Sequence, residues 1–506
     1  MNRNGTAPAI RPGRGQGIRR RRAAVGTVVL SIALMILAIA VLVGAHMIYY
    51  SLVTYPVATA HGRLSATINA SEAVIPITII NPTSEATPVP FQLQLNFSPA
   101  AYSSLEAPDL SNIRFYGGGQ ELYAWLQSYS SSPPNTAQLA TAWVKLPFSI
   151  GPQGSATIYM TFNGSGWSDH WGEAPTLSTP YGAHDNGRYV FLTYGAFGSG
   201  FDGWAPGVFA GTFLPTPSGG GILMVNNQGG EGTYLIAPNQ LPQIPLVVDV
   251  EWGFSAPGGK TPADALAISI GNAVQQILVA LVGNTAGGGT PAASGSIFAQ
   301  NEFYPRWPVL ALKDAVANKI VGTISWRTGQ VELVYSAFTL IPPKGNGGKW
   351  GAMAGYAIVG SSLPSSPPPV QPPQVVNLLD AGTSNNGAPI PFAVSAPQGM
   401  NLEIGAGSGG ATAYTYVYWV LARAYPPDDV MPSSTLGAPM VPMNVTNYGP
   451  VEVKISQIVV VSNGVPTYYP YSAVLFPGQS VTIYMPLSGS IGLETDSGVV
   501  WVRPVK

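Results

Sequence analysis

Cysteine is absent from the 506 residues, which excludes structural disulfides, thiolate catalysis and cysteine-ligated zinc. Charge is scarce as well. Asp, Glu, Lys and Arg make up 9% of the chain, against about a quarter in ordinary soluble domains. The four histidines, His46, His61, His170 and His184, are scattered, and none shows the i, i+4 spacing of a helical metal pair. What is abundant is Gly (60) and Pro (48), about a fifth of the chain, with 46% hydrophobic residues. That mixture favours turns and strands over helices and stays below the level expected of disorder. The length suits about three domains at the usual 100–200 residues each.

The net charge of −1 conceals an asymmetry. Seven of the 22 basic residues lie within residues 1–22, which hold no acid, leaving 15 basic against 23 acidic residues, a net of −8, for the rest. Nucleic acid is therefore not expected as a partner of the main body. From Ala23 to Ala60 there is no Asp, Glu, Lys or Arg. The stretch AAVGTVVLSIALMILAIAVLVGAHM would span about 37 Å as a helix, enough to cross a bilayer. Arg19–Arg22 abut it, so the positive-inside rule predicts a basic cytoplasmic tail (1–22), a transmembrane helix (23–50) and an extracellular remainder. A cleaved secretory signal ending at Ala58-Thr59-Ala60 is the alternative, but its apolar region normally runs only about 7–15 residues.

Beyond the membrane the pattern is one of period-2 alternation. Phe91-Gln92-Leu93-Gln94-Leu95-Asn96 places Phe91, Leu93 and Leu95 on one face and amides on the other, as a half-buried strand does. Ala156–Phe162, Val451–Val461, Ser480–Tyr484 and Val499–Val502 read similarly, and Asn463-Gly464 supplies a hairpin turn. Frequent Gly, Pro and Asn between short strands predict tandem β-sandwiches. Composition shifts at Asn163–Gly166 and Pro426–Asp429 suggest three units: an N-terminal β-sandwich module (56–165), a middle sandwich (166–428) and a C-terminal β domain (436–506). The proline-rich segment 361–373 reads either as a linker or as an insertion in the middle sandwich.

Three resemblances attach to particular residues. Arg22-Ala23-Ala24 followed by Val25-Gly26-Thr27-Val28-Val29 resembles the processing site of archaeal type IV pilin-like proteins, which implies cleavage after Ala23 with the apolar helix retained. Ser111–Phe115, Leu122–Trp125, Ala142–Pro147 and Ala156–Met160 resemble an uncharacterised β module near the start of archaeal and bacterial surface proteins. There it commonly runs on through Tyr-Gly, Asp-Asn-Gly and Val-Phe, here Tyr181-Gly182, Asp185-Asn186-Gly187 and Val190-Phe191, into a concanavalin A-like (laminin G-like) sandwich. That resemblance implies a sandwich closing on Tyr416–Arg423, with the proline-rich segment as an insertion. Asn447-Tyr448-Gly449-Pro450 and Phe476–Ser480 resemble an archaeal immunoglobulin-like surface module.

Concanavalin A-like folds include both sugar-binding modules and glucanases, so the fold leaves the activity open. Asp249 and Glu251 in Val247–Trp252 are two apart on a strand, about 7 Å, a separation usable by glycosidase carboxylates. The glucanase strand reads Glu-x-Asp-x-Glu; Val247 stands where the nucleophile belongs. The pair is therefore expected on a solvated strand face, with Val248, Val250 and Trp252 packed inward. A His/Asp site at Asp169, His170, His184 and Asp185 is weighed against ordinary solvated loop histidines, the favoured reading. Gly219–Gly221 and Gly287–Gly289 lack the Lys and following helix of phosphate loops. Calcium at Asp185 or Asp202 is the one cofactor considered, although Asp-Asn-Gly and Asp-Gly are first of all turn formers.

Eleven Trp and 24 Tyr are many for so uncharged a chain. Loop residues Trp167, Trp171, Trp204, Trp307 and Trp350 are candidates for stacking on sugar rings, weighed against a role in the core. Asn69, Asn96, Asn163 and Asn444 lie in Asn-x-Ser/Thr sequons and would carry glycans on the outside. The shortage of carboxylates limits the charge change on acidification and suggests an acidic hot-spring archaeon as the source. The expected function is that of a membrane-anchored or pilin-like surface protein, not an enzyme, with an adhesive, carbohydrate-binding sandwich and surface polysaccharide or pilus subunits as partners. Alternatives are a structural subunit of a filament or envelope layer and, third, a polysaccharide hydrolase.

Overall fold

A computed structural model describes the chain from residue 64 to residue 502, apart from 69–72, 163–169, 173–184, 256–261, 272–275, 285–291, 301–316, 326–331, 342–350, 371–389, 392–400, 408–411 and shorter stretches at 199, 210, 228–231, 243, 361, 463 and 487–488. For the strands between 271 and 360 it describes the backbone alone. The tail, the expected membrane helix over 23–50 and the junction Arg22-Ala23-Ala24 lie outside the described residues, as do Asn69, Asn163, Trp167, Trp307, Trp350, His46, His61, Asp169 and His184. Among the described residues no helix is long and apolar enough to cross a membrane. The chain forms two compact units, Ser71–Val441 and a second made of residues up to Ala70 with Pro442–Lys506.

The Ser71–Val441 unit is built of β-sheet layers. In the first sheet Val74–Ile80 pairs with Ser155–Thr161, which pairs in turn with Arg114–Gly117. Its other neighbour is Ser433–Leu436, a segment from after the middle sandwich, in the register Ile77↔Leu436 to Ile80↔Ser433. That strand covers an edge that the 56–165 module alone would leave open to pairing with other chains. Ile75, Ile77 and Ile79 are fully buried while the intervening residues are not, the alternation of a strand with one face in a core.

The second sheet orders Phe91–Phe97, Ala140–Leu146, Ala124–Tyr129 and the short parallel strand Trp171–Gly172. Phe115 and Trp171, with ring centroids 5.6 Å apart, tie the first sheet to the second. Here the half-buried expectation fails: Gln92 and Gln94 are buried along with Phe91, Leu93 and Leu95. A third layer covers the amide face. Gln92 donates from Nε2 to the Val190 carbonyl and accepts the Ala424 N–H at 2.7 Å, so its polar group is satisfied across the junction.

That third layer belongs to the middle sandwich, whose two sheets are antiparallel throughout. One runs Thr212–Pro215, Ile222–Asn226, Ala413–Ala424, Leu246–Ser255, Glu332–Ile341, Gly351–Gly360 and Ile390–Pro391, with Thr193–Gly195 also on Ala413–Ala424. The other runs Ala205–Phe209, Gly232–Ile236, Asn401–Gly407, Pro262–Gly271, Gln276–Asn284, Ala292–Gln300 and Ala317–Ser325. Val248, Val250 and Trp252 point into the core as the alternation predicts, meeting Leu235, Ile268 and Ile404 from the opposite sheet. The Tyr416–Arg423 segment is an inner strand of its sheet, with neighbours on both sides. The proline-rich segment lies between two strands of one sheet, Gly351–Gly360 and Ile390–Pro391, and Pro367, Pro368 and Val370 are buried or nearly so. Its described residues, 362–370, thus fall in the chain between two strands of one sheet.

In the second unit Leu64–Ile68 pairs with Met443–Asn447. The expected N-terminal module therefore gives its first strand to the C-terminal unit, an exchange that local sequence pattern cannot show. A four-stranded sheet orders Val465–Leu475, Val453–Ser462, Ser490–Thr495 and Gly498–Val502. The first two form a hairpin closing at Ser462↔Val465, with Gly464 at φ 78°, the left-handed turn the Asn-Gly pair predicts. Asn447 is fully buried and braces this unit's loops, donating from Nδ2 to the carbonyls of Val451 and Leu475 and accepting the Gly449 N–H.

Candidate functional site

Asp249 and Glu251 do share a strand face, but the face is not solvated. It lies against the second sheet of the N-terminal module, and Val247 and Asp249 are fully buried. Asp249 Oδ2 accepts the Nε–H of Arg423 at 2.7 Å, both side chains without solvent exposure. The Arg423 guanidinium in turn lies 5.6 Å from the centroid of the Trp143 ring. Glu251 accepts the indole N–H of Trp419 at 2.7 Å; burial pushes its carboxyl up to about 7, a rise that this hydrogen bond opposes. Val247 stands in place of a nucleophile and Asp249 is sealed in an ion pair, while Glu251 is half-buried and held by Trp419 of the same sheet.

The turn residues serve the same junction. Asp185 accepts from Trp125 Nε1, Tyr194 Oη and the Gly187 N–H. Burial lifts its pKa to about 6 against the pull of those three donors. Asp202, at φ 49°, accepts from the N–H groups of Ala196 and Phe197. Both carboxylates thus close loops, and among the described residues no group of three or more His, Asp or Glu could hold a metal ion. His170 stacks on Tyr123 at 4.2 Å, and Tyr123 stacks on Tyr189 at 5.3 Å. Trp171 and Trp204, candidates for sugar stacking, are core residues: both are buried, with indole N–H groups donated to the carbonyls of Leu110 and Tyr194. A buried indole needs such a partner, and this need draws Trp inward where one exists. The sequon residues Asn96 and Asn444 are exposed on strands, Asn96 accepting from Thr141 Oγ1.

The aromatic surface lies instead on the outer face of the sandwich's second sheet, at residues the sequence did not single out. Leu235 and Ile404 enter the core, so Tyr234 and Glu403, of opposite parity, face outward. Tyr234 is half-buried and sits in register between Gly207 and Gly405. Its ring lies across Gly207, where a methyl group would collide with it, and a Cβ on Gly405 would come within 3.2 Å of Tyr234 Cβ. The missing side chain of Gly207 leaves the room that the ring occupies along the sheet. Glu403 pairs with Ile236, one diagonal step from Tyr234, and its charge adds to burial in raising the Tyr234 phenol. The Glu403 side chain is 4% exposed, Oε1 has no hydrogen-bond partner, and burial pushes the carboxyl up to about 8. At neutral pH it is a carboxylic acid with an O–H to donate beside an aromatic face. A glycine inside each of two neighbouring strands was the available signal, since such glycines mark close approach.

No known family's sequence profile matches the chain. It is similar to uncharacterized protein 562 of Sulfolobus islandicus rod-shaped virus 1, 38% identical over 123 residues; the match takes in 23% of this chain and spans only 21% of that relative's length. Among solved structures it is similar to the legume lectin-like domain from Entamoeba histolytica, at 8% identity and TM-score 0.27, over 44% of this chain and 90% of that one. It is also similar to the carbohydrate recognition domain of Emp47p, at 10% identity and TM-score 0.26, over 44% and 89%.

Proposed function

We propose that this chain is a membrane-anchored surface protein whose middle sandwich binds carbohydrate on its outer sheet face, without catalysis. The observation that carries the reading is the half-buried Tyr234 ring laid over Gly207 on the outer sheet face. A flat aromatic on an outer sheet face offers a platform to the apolar face of a pyranose. Immobilised polysaccharides of varied composition retain the full-length protein, and Tyr234→Ala lowers that retention at least about tenfold, the usual cost of losing an aromatic anchor. Gly207→Ala, which displaces the ring without removing it, has the same direction of effect. Undiminished retention by both variants would place the ligand elsewhere, and no retention of the unaltered protein would remove it.

The anchor rests on the charge-free run Ala23–Ala60 behind Arg19–Arg22. Mass spectrometry of the native protein is expected to find a mature N-terminus that keeps the apolar run, either intact or beginning at Ala24. A chain beginning at His61 would mean a removed signal and no anchor of this kind.

A further inference from the structure

The C-terminal unit contains a surface that neither the sandwich nor the anchor accounts for. From Ile455 to Leu493, 39 consecutive residues between Lys454 and Glu494, there is no charged residue and no histidine. Within that run Val465–Leu475 is the edge strand of its sheet. Its residues 465–470 are all exposed: Val465 is 65% exposed, Tyr468 56% and Tyr469 37%, so side chains on both faces of the hairpin arm meet solvent. An exposed arm of Val, Pro and Tyr without a charge is what a lone soluble domain avoids.

The free edge itself is protected. The turn is of two residues, which makes Ser462↔Val465 a hydrogen-bonded pair and aims the odd-numbered backbone groups at the partner strand. The even-numbered groups, 466, 468 and 470, point to the open edge, where 466 and 470 are proline and offer no N–H. Strand addition along that edge is blocked. What remains open is contact through side chains.

The unit also holds Leu64–Ile68, which follows closely on the charge-free run Ala23–Ala60. At most about 3.5 Å per residue separates Ala60 from Leu64, so a segment that places copies side by side in a membrane or filament keeps their C-terminal units close as well. A second copy brings the same charge-free surface and so meets no unpaired charge on docking. We infer that a second copy of this chain docks, side chain to side chain, on the exposed Val465–Tyr471 arm.

The absence of cysteine makes the test direct. The full-length chain in native membranes carries a single cysteine, as Val465→Cys or, for comparison, as Ser104→Cys on an exposed loop of the other unit. Under mild oxidation Val465→Cys is expected to give a disulfide-linked dimer at least about five times as abundant as that of Ser104→Cys, because docking raises the local concentration of the two thiols. Adding Tyr468→Ser and Tyr469→Ser, exposed positions whose loss leaves the core intact, is expected to return that yield to the Ser104→Cys level. Equal yields from the two single-cysteine variants overturn the inference. So does a Val465→Cys thiol shielded from maleimide with no dimer formed, because the arm is then covered by residues 1–63 or by another protein. Neither result bears on polysaccharide retention.

Discussion

Replacing Arg423 with alanine lowers the unfolding free energy of the Ser71–Val441 unit by about 3–5 kcal/mol, because it strands the Asp249 charge in the interior. Arg423 and Asp249 have no exposure to water, and they meet at 2.7 Å between adjacent strands of the sandwich sheet that carries the N-terminal module. The guanidinium stacks toward Trp143 of that module, so its loss also removes a packing surface. Lysine does not substitute: it lacks the planar fork that serves the carboxylate and the ring together. Removing both charges is a different matter. The pair Asp249→Leu with Arg423→Met keeps the volume and abolishes the stranded charge, and buried ion pairs exchanged for apolar ones are commonly neutral or stabilising. Denaturant unfolding of the full-length protein followed by Trp fluorescence measures all three variants. A cost below about 1 kcal/mol for Arg423→Ala would mean that water or a rearranged Asp249 compensates, and that the junction does not depend on this pair.

The same junction shows where sequence reading succeeds and where it stops. Val248, Val250 and Trp252 were legible as core, since alternation on a strand reports burial of one face. The other face was read as solvated because Asp249 and Glu251 stand on it, and charge is usually a sign of water. What the sequence does not print is the Trp143 and Gln92 surface, more than a hundred residues upstream, that meets Arg423 and Ala424 beside the pair. Strand exchange fails for a related reason. Leu64–Ile68 falls within the range read as the N-terminal module and Ser433–Leu436 just beyond the middle sandwich, and the partners of both strands are set by the three-dimensional need to cover sheet edges. Tyr234 and Glu403 sit in sequences indistinguishable from ordinary strands; the feature that distinguishes them is which glycines lie opposite.

Buried acids set the response of the fold to pH, and the sign is the reverse of ordinary acid denaturation. The folded chain holds Glu106 and Glu403 up to about 8, Glu251 to about 7 and Asp185 to about 6, in every case chiefly because burial penalises the charged form. Glu106 is the plainest instance, 7% exposed with neither carboxyl oxygen bonded to a partner. In the unfolded chain these groups titrate near about 4. Between about pH 4 and 8 the folded state therefore binds more protons than the unfolded one, and stability falls as pH rises. The contribution is complete below about pH 4 and is lost as pH climbs through about 6 to 8. Thermal unfolding of the full-length protein is accordingly expected at a higher temperature at about pH 4.5 than at about pH 8. Glu106→Gln and Glu403→Gln should each raise the value at the higher pH while leaving the value at the lower pH nearly unchanged, since an amide stays neutral at both. An unfolding temperature that drops between about pH 6 and pH 4 would show that these buried acids do not set the sign of the response.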